Sequence, residues 1–306
     1  MSALRTLPGT ASRIRGNRTR GAGINVFYVP ALLIFAVFTI YPLISGVGLS
    51  FTNWNGYSAA RDAVGAANYL RLFEDATFRL VLLNTFIYGI GSTIIQQVLG
   101  LGLALALDRP LRGRTAIRAI IYLPVLVSPV IMGTMYYLFF QYNRGALNDI
   151  VTAFGGKQSA WLSDGDTAVL IIVLVNSLQF VGISMIIYLA GLQSIPVVYY
   201  EASNLDGATA SQQFWHITVP LLQPAFATSI VLNLIGGLKL YDIILVLTGG
   251  GPGYSTNSVS TLVGIAYFDN QAAGYASAMG VVLFLIIVVF TLVLNTLLNR
   301  RRLEQQ

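Results

Sequence analysis

Six long apolar runs, at about 25 to 53, 78 to 107, 116 to 141, 167 to 192, 220 to 247 and 275 to 298, limit what this chain can fold into. Each meets or exceeds the roughly 20 residues that a helix needs to cross a bilayer. A spanning segment must satisfy its own backbone polar groups, so runs of this length fold as helices. Only 10% of the residues are charged, clustered between the runs, where a soluble domain would carry about a quarter. The expected fold is therefore all-α, a polytopic membrane protein with six transmembrane helices. The first run is too long for the 7 to 15 residue core of a cleaved leader and lacks a clear small-residue cleavage site, so it is expected to be retained as span one.

Basic residues concentrate in short cytoplasmic loops. Arg5, Arg13, Arg15, Arg18 and Arg20 precede the first run, Arg109, Arg112, Arg114 and Arg118 separate the second from the third, and Arg300, Arg301 and Arg302 follow the sixth. These three regions share one side of a six-span protein, so both termini are expected in the cytoplasm and the chain in the cell membrane. Residues 1–24 read as a basic cytoplasmic tail, 25–299 as one six-span domain, and 300–306 as a second short tail. The formal net charge of +6 is then a topology signal and not a nucleic-acid footprint. With no Cys and a single His, neither a disulfide framework nor a metal site is expected.

Between the fourth and fifth runs lies a patterned polar segment, residues 193–219. Glu201-Ala202-Ser203-Asn204-Leu205-Asp206-Gly207 is followed, after nine residues, by Ile217-Thr218-Val219-Pro220. Pro suits the first turn of a helix, and Asp206-Gly207 suits a turn between two short helices. The segment resembles the EAA motif of ABC importer permeases, Glu-Ala-Ala-x3-Gly-x9-Ile-x-Leu-Pro, with Ser203 in place of a second Ala and Val219 in place of Leu.

The resemblance covers most of residues 27 to 298 and is closest to permeases of maltose-type carbohydrate importers. Gly65-Ala66-Ala67-Asn68-Tyr69, Asn84-Thr85, Leu123-Pro124 opening span three, Gly191-Leu192-Gln193-Ser194-Ile195-Pro196 and Leu247-Thr248-Gly249-Gly250-Gly251-Pro252 look like further signatures. It implies a type I ABC importer permease fold, and a hairpin that docks on a cytoplasmic ATPase through Glu201, Ala202, Ser203, Asp206, Gly207 and Ala208. It also implies a dimer of ATPase subunits holding ATP and Mg, a second homologous permease, and an extracytoplasmic sugar-binding protein. Neither Gly249-Gly250-Gly251-Pro252-Gly253 nor Gly155-Gly156-Lys157-Gln158 continues as a phosphate-binding loop would, so this chain is expected to bind no cofactor and to be no enzyme. His216 and Trp215 are expected to pack the hairpin against the bases of the spans.

A solute stripped of water needs replacement hydrogen bonds. Span four offers Asn176 and Gln179 one turn apart, with Phe180 beside them; span five offers Asn233, Gly236, Gly237 and Leu240 on one helical face. The resemblance implies a solute site there, together with Val125, Ser128 and Pro129 near the start of span three. The glycines equally suit close helix packing, and the amides equally suit interhelical hydrogen bonds. Lys239 and Asp242, costly within a bilayer, are expected on the far side of span five as a mutual or interhelical ion pair. The whole reads as the permease subunit of a sugar or oligosaccharide importer. A sugar phosphate ester such as a glycerol phosphate is the alternative cargo. A stand-alone secondary transporter is the alternative class, and a purely structural membrane protein a third reading.

Overall fold

The computed structural model describes residues 28–299, of Asn299 only the backbone, so the tails 1–24 and 300–306 lie outside the described residues. The chain divides into two units after Gly48. The first contains nearly all of helix α1, Tyr28–Leu49, which is apolar and has one wide π-helical turn at Ala36–Ile40.

In the second unit, a short helix α2 (Ala67–Glu74) leads into α3 (Ala76–Asp108). Asp75 caps α3, its carboxylate accepting from the Thr77 amide at 2.8 Å and the Phe78 amide at 3.2 Å. The Tyr275 hydroxyl donates to the same carboxylate at 2.8 Å, and the Arg71 guanidinium lies 4.3 Å from the centre of the Tyr275 ring. Burial pushes the Asp75 carboxyl up, but these hydrogen bonds and the Arg71 charge outweigh it and hold it below its ordinary value. The cap thus ties α2 and α3 to the start of the last helix.

The third span is broken. Helix α4 (Arg114–Leu126) and helix α5 (Pro129–Phe140) meet at 98°. Pro129 occupies the first turn of α5, where its missing N–H costs nothing, and it forces the residue before it into an extended conformation. Leu123-Pro124 therefore does not open span three, because it lies in the last turn of α4. After the short helix α6 (Ala146–Ala153) comes the longest, α7 (Gly165–Gln193), capped by Asp164 through the Thr167 amide at 3.0 Å. No proline interrupts α7.

Helix α8 (Val198–Leu205) and helix α9 (Ala210–Leu221) form the hairpin, and α9 meets α10 (Gln223–Leu238) at 63°. Span five was expected to run unbroken to 247. Instead α10 stops at Leu238, and a separate short helix α11 (Asp242–Leu247) follows. Helix α12 (Val259–Asp269) and the last span α13 (Ala273–Asn299) complete the unit. Counting each bent pair as one span gives six, and no strand forms among the described residues.

Helix α7 is the central post. It packs along α3, α4 and α10. Small residues permit the close approach: a β-carbon on Gly100 would lie 2.4 Å from Ser184 Cβ, and one on Gly182 would lie 3.0 Å from the Ile121 carbonyl oxygen. One apolar cluster, including Tyr88, Ile172, Val175 and Ile243, surrounds its first half, and another, including Ala104, Met185, Tyr188 and Leu222, its second half.

Candidate functional site

A cavity of about 310 Å3 opens beside the middle of α7, within the size range of small-molecule sites. Of the residues expected on a solute pathway, Asn176, Phe180, Asn233, Gly236, Gly237, Leu240 and Pro129 line it. They come from α5, α7, α10 and the break after α10, so four chain segments converge on one space.

Gln179, Val125 and Ser128 do not line the cavity. Three helical residues turn through about 300°, which takes Gln179 off the Asn176 face; it is fully buried and donates from Nε2 to the Val127 carbonyl at 3.3 Å. That bond pins the bend of span three against α7. Val125 and Ser128 sit at the bend itself, where the 98° turn interrupts the face a continuous helix would have offered.

Lys239 and Asp242 are also displaced from the expected geometry. Both line the cavity, and among the described residues they form no ion pair with each other or with any other side chain. The helical angle from Asn233 to Asp242 does not apply, because the helix ends at Leu238. Both side chains are exposed to the space.

The polar wall is partly unspent. Asn233 donates to Ser184 Oγ at 2.6 Å and leaves its oxygen available. The side-chain amide of Asn176, 2% exposed, has no partner among the described residues. Gln96 of α3, missed in the sequence, donates to the Asn176 carbonyl at 3.2 Å, and its buried oxygen has no partner. A buried amide oxygen without a donor costs roughly 1–3 kcal/mol. The signal for Gln96 was the Gln96-Gln97 doublet within a long apolar run.

The two glycines separate. A β-carbon on Gly237 would lie 2.8 Å from Gly89 Cα and 2.9 Å from the Tyr88 carbonyl oxygen, whereas one on Gly236 would meet nothing within 4 Å. Gly237 serves helix packing, and Gly236 leaves open space on the cavity side.

The hairpin is prebuilt. Gly207 has φ +75° and ends α8, with its own N–H bonding to the Asn204 carbonyl at 3.1 Å and that of Ala208 to the Ser203 carbonyl at 2.9 Å. Thr209 and Gln212 cap α9 reciprocally. Gln213 Nε2 reaches back to Ser203 Oγ at 3.0 Å and Asn204 Oδ1 at 2.6 Å, so the hydroxyl that replaces the motif's second Ala stitches the two helices. Asp206, Gly207, Ala208 and Gln212 shape a concave face. Glu201 and Ala202 are exposed, Leu205 is 90% exposed, and the Glu201 carboxylate has no partner among the described residues. Trp215 does not pack on the span bases: it is 62% exposed, on the outside of a π-helical turn, while His216 Nδ1 lies 3.0 Å from the Gln212 carbonyl oxygen.

At the opposite end of α7, the Asn84-Thr85 signature meets the segment that follows the glycine-rich one. Asn84 donates to the Ser255 and Asn257 carbonyls at 2.7 and 3.3 Å, Tyr88 donates to the Thr256 carbonyl at 2.8 Å, and the Val259 amide donates to Thr85 Oγ1 at 2.9 Å. Asn257 in turn donates to the Gly250 carbonyl at 3.1 Å and Thr256 Oγ1 to the Gly251 carbonyl at 2.9 Å, so the glycine-rich loop is clamped to α3 through this segment.

A family model described as "Binding-protein-dependent transport system inner membrane component" matches residues 98–304. The chain belongs to this family. A probable ABC transporter permease protein, YurN of Bacillus subtilis, is 34% identical over 271 residues, covering 87% of this permease and 92% of that protein. The trehalose/maltose transport system permease protein MalF of Thermococcus litoralis is 33% identical, with coverages of 87% and 90%. Among solved structures, a chain of a bacterial alginate ABC transporter, in complex with an alginate pentasaccharide-bound periplasmic protein, superposes with a TM-score of 0.80. It is 25% identical and covers 95% of this permease and 98% of that chain. The permease is thus a multi-pass membrane transport component of an ABC importer, not an enzyme.

Proposed function

We propose that the permease carries a sugar or oligosaccharide from an extracytoplasmic binding protein into the cytoplasm by alternating access through the cavity beside α7. The observation that carries this reading is a wall of amides with spare hydrogen-bonding capacity, the whole side-chain amide of Asn176 and the oxygens of Gln96 and Asn233, next to the ring of Phe180. Hydroxyls find hydrogen bonds there, and a sugar ring finds an apolar face. The relatives favour the same cargo, since one is described for trehalose and maltose and another belongs to an alginate transporter.

In this reading a second homologous permease completes the pore, and two ATPase subunits, holding ATP and Mg, receive one hairpin each. The exposed Glu201 and Leu205 are the hairpin's contacts, and Gly207 and Ala208 shape the face between them. Both termini and the hairpin lie in the cytoplasm, and the clamped glycine-rich loop faces the binding protein. Closure of the ATPase dimer brings the hairpins together and opens the cavity outward.

Asn176→Ala and Asn233→Ala are expected to lower uptake of the transported sugar about tenfold or more, the effect of losing a hydrogen bond in a dry site. Uptake by cells with unchanged amounts of the variants in their membranes is the measurement, and normal uptake by both would sink the cavity assignment. The unpaired Lys239 keeps a sugar phosphate ester as second cargo. Lys239→Met would then remove uptake of glycerol phosphate, while a neutral sugar would pass at a rate changed by less than about threefold.

A further inference from the structure

A second hollow, of about 520 Å3, lies at the N-terminal end of α7, away from the hairpin. Tyr137 and Phe140 of α5, Tyr142 and Trp161 of the following loops, and Leu247 of α11 give it an aromatic and aliphatic lining. Resting on the proposed cargo, we propose that this cleft is a second carbohydrate subsite, which holds the trailing residues of an oligosaccharide whose leading residues occupy the cavity beside α7.

The lining fits a saccharide better than an aliphatic guest. Trp161 donates its indole N–H to Asn148 Oδ1 at 2.9 Å, so its polar need is met internally and the ring is left as a fixed plane. Asn148 is fully buried and also donates to the Tyr142 carbonyl at 3.1 Å and the Ser159 carbonyl at 3.0 Å. The loops that carry the two aromatics are therefore set before a ligand arrives, which lowers the ordering cost of binding. Tyr137 and Tyr142 are 43% and 50% exposed, and neither hydroxyl has a protein partner among the described residues. The Gln141 amide on the same wall is equally uncommitted. Pyranose and furanose rings present C–H faces to aromatic planes and hydroxyls at their edges. A lipid tail would leave the hydroxyls and the amide unmatched.

The two hollows are joined by α11. Asp242 and Ile243 line the first, and Val246 and Leu247 line the second. Three to five helical residues separate these positions, about 4.5 to 7.5 Å along the axis. A chain molecule can occupy both, whereas a single small sugar cannot.

The test is length selectivity in the complete reconstituted transporter. Uptake of disaccharides and of tetra- to hexasaccharides, prepared from starch, xylan and arabinan, is compared for the wild type, Trp161→Phe and Tyr142→Leu. The expected result is a loss of about three- to tenfold in kcat/KM for the longer chains in each variant, with disaccharides unchanged. An equal loss at all lengths, accompanied by less protein in the membrane, would mean that these aromatics are membrane-interface anchors only and would overturn the proposal. Absence of any length dependence in every sugar series would overturn it too. Asn233→Ala, run in parallel, keeps the two readings apart: if it abolishes disaccharide uptake while the Trp161 and Tyr142 variants alter nothing, the cavity assignment stands and the second subsite falls.

Discussion

Gly236→Val is expected to leave the permease in the membrane at its normal amount and to stop solute passage, whereas Gly237→Val is expected to remove the protein altogether. The two positions are adjacent in sequence, but their surroundings differ in kind. At Gly237 the added carbon meets backbone, Gly89 Cα at 2.8 Å and the Tyr88 carbonyl oxygen at 2.9 Å, and backbone of two packed spans cannot move aside cheaply. Overpacking of this sort costs about 1–3 kcal/mol or more, a large share of the stability of a typical domain. At Gly236 the new side chain meets no atom within 4 Å and projects where the cavity wall is open. On the proposed pathway it takes up the room of the guest. Immunoblots of membranes together with uptake assays separate the outcomes. Normal uptake by Gly236→Val, or normal membrane amounts of Gly237→Val, would show that the helix face has been assigned the wrong way round.

Gly207→Val is expected to abolish capture of the ATPase and with it all ATP-driven uptake, while Gly207→Asn retains both. The backbone at this position has φ +75°, a left-handed conformation that costs an ordinary L residue roughly 1–2 kcal/mol and a β-branched one more, but that Asn visits readily. Space is not the obstacle, since nothing lies within 4 Å of the position. The strain falls on the two hydrogen bonds that close α8, from the amides of Gly207 and Ala208. Opening that turn separates Ser203 and Asn204 from Gln213, and the concave face loses its shape. Glu201→Ala combined with Gly207→Val should leave the chain folded in its spans and purifying without an ATPase. Pull-down from detergent is the readout, and an ATPase still bound to the double variant would end the docking assignment.

The six spans and the hairpin were legible because each rests on local chemistry, apolar length in one case and turn and cap residues in the other. The breaks were not. Apolarity carries through Val125–Tyr136, and in Leu238–Leu247 Lys239 and Asp242 are too few to end the apolar run; hydropathy reports what surrounds a segment, not whether its helix is continuous. Pro129 after Ser128 was the visible warning in the third span. In the fifth the warning was the pair Lys239 and Asp242 themselves, which flank the break between Leu238 and Asp242, and carrying the helical angle past Leu238 put them on the wrong side. Gln96 escaped because the Gln96-Gln97 doublet barely changes the hydropathy of a 33-residue helix. The bonds from Asn84, Thr85 and Tyr88 to residues 255–259 join positions about 170 apart, which one sequence cannot pair.

The cavity is bounded by one unbroken member, α7, and two jointed ones, the third span with its 98° bend and the fifth with its stop at Leu238. A helix without a break hardly flexes, so adjustment is concentrated at the joints. The room offered to a guest is then a matter of angle before it is a matter of side chains, and small changes at the joints enlarge or shrink it without rewriting the wall. On the transport reading proposed above, the joints would set how much room a guest has, and the side chains along the wall which guest is held.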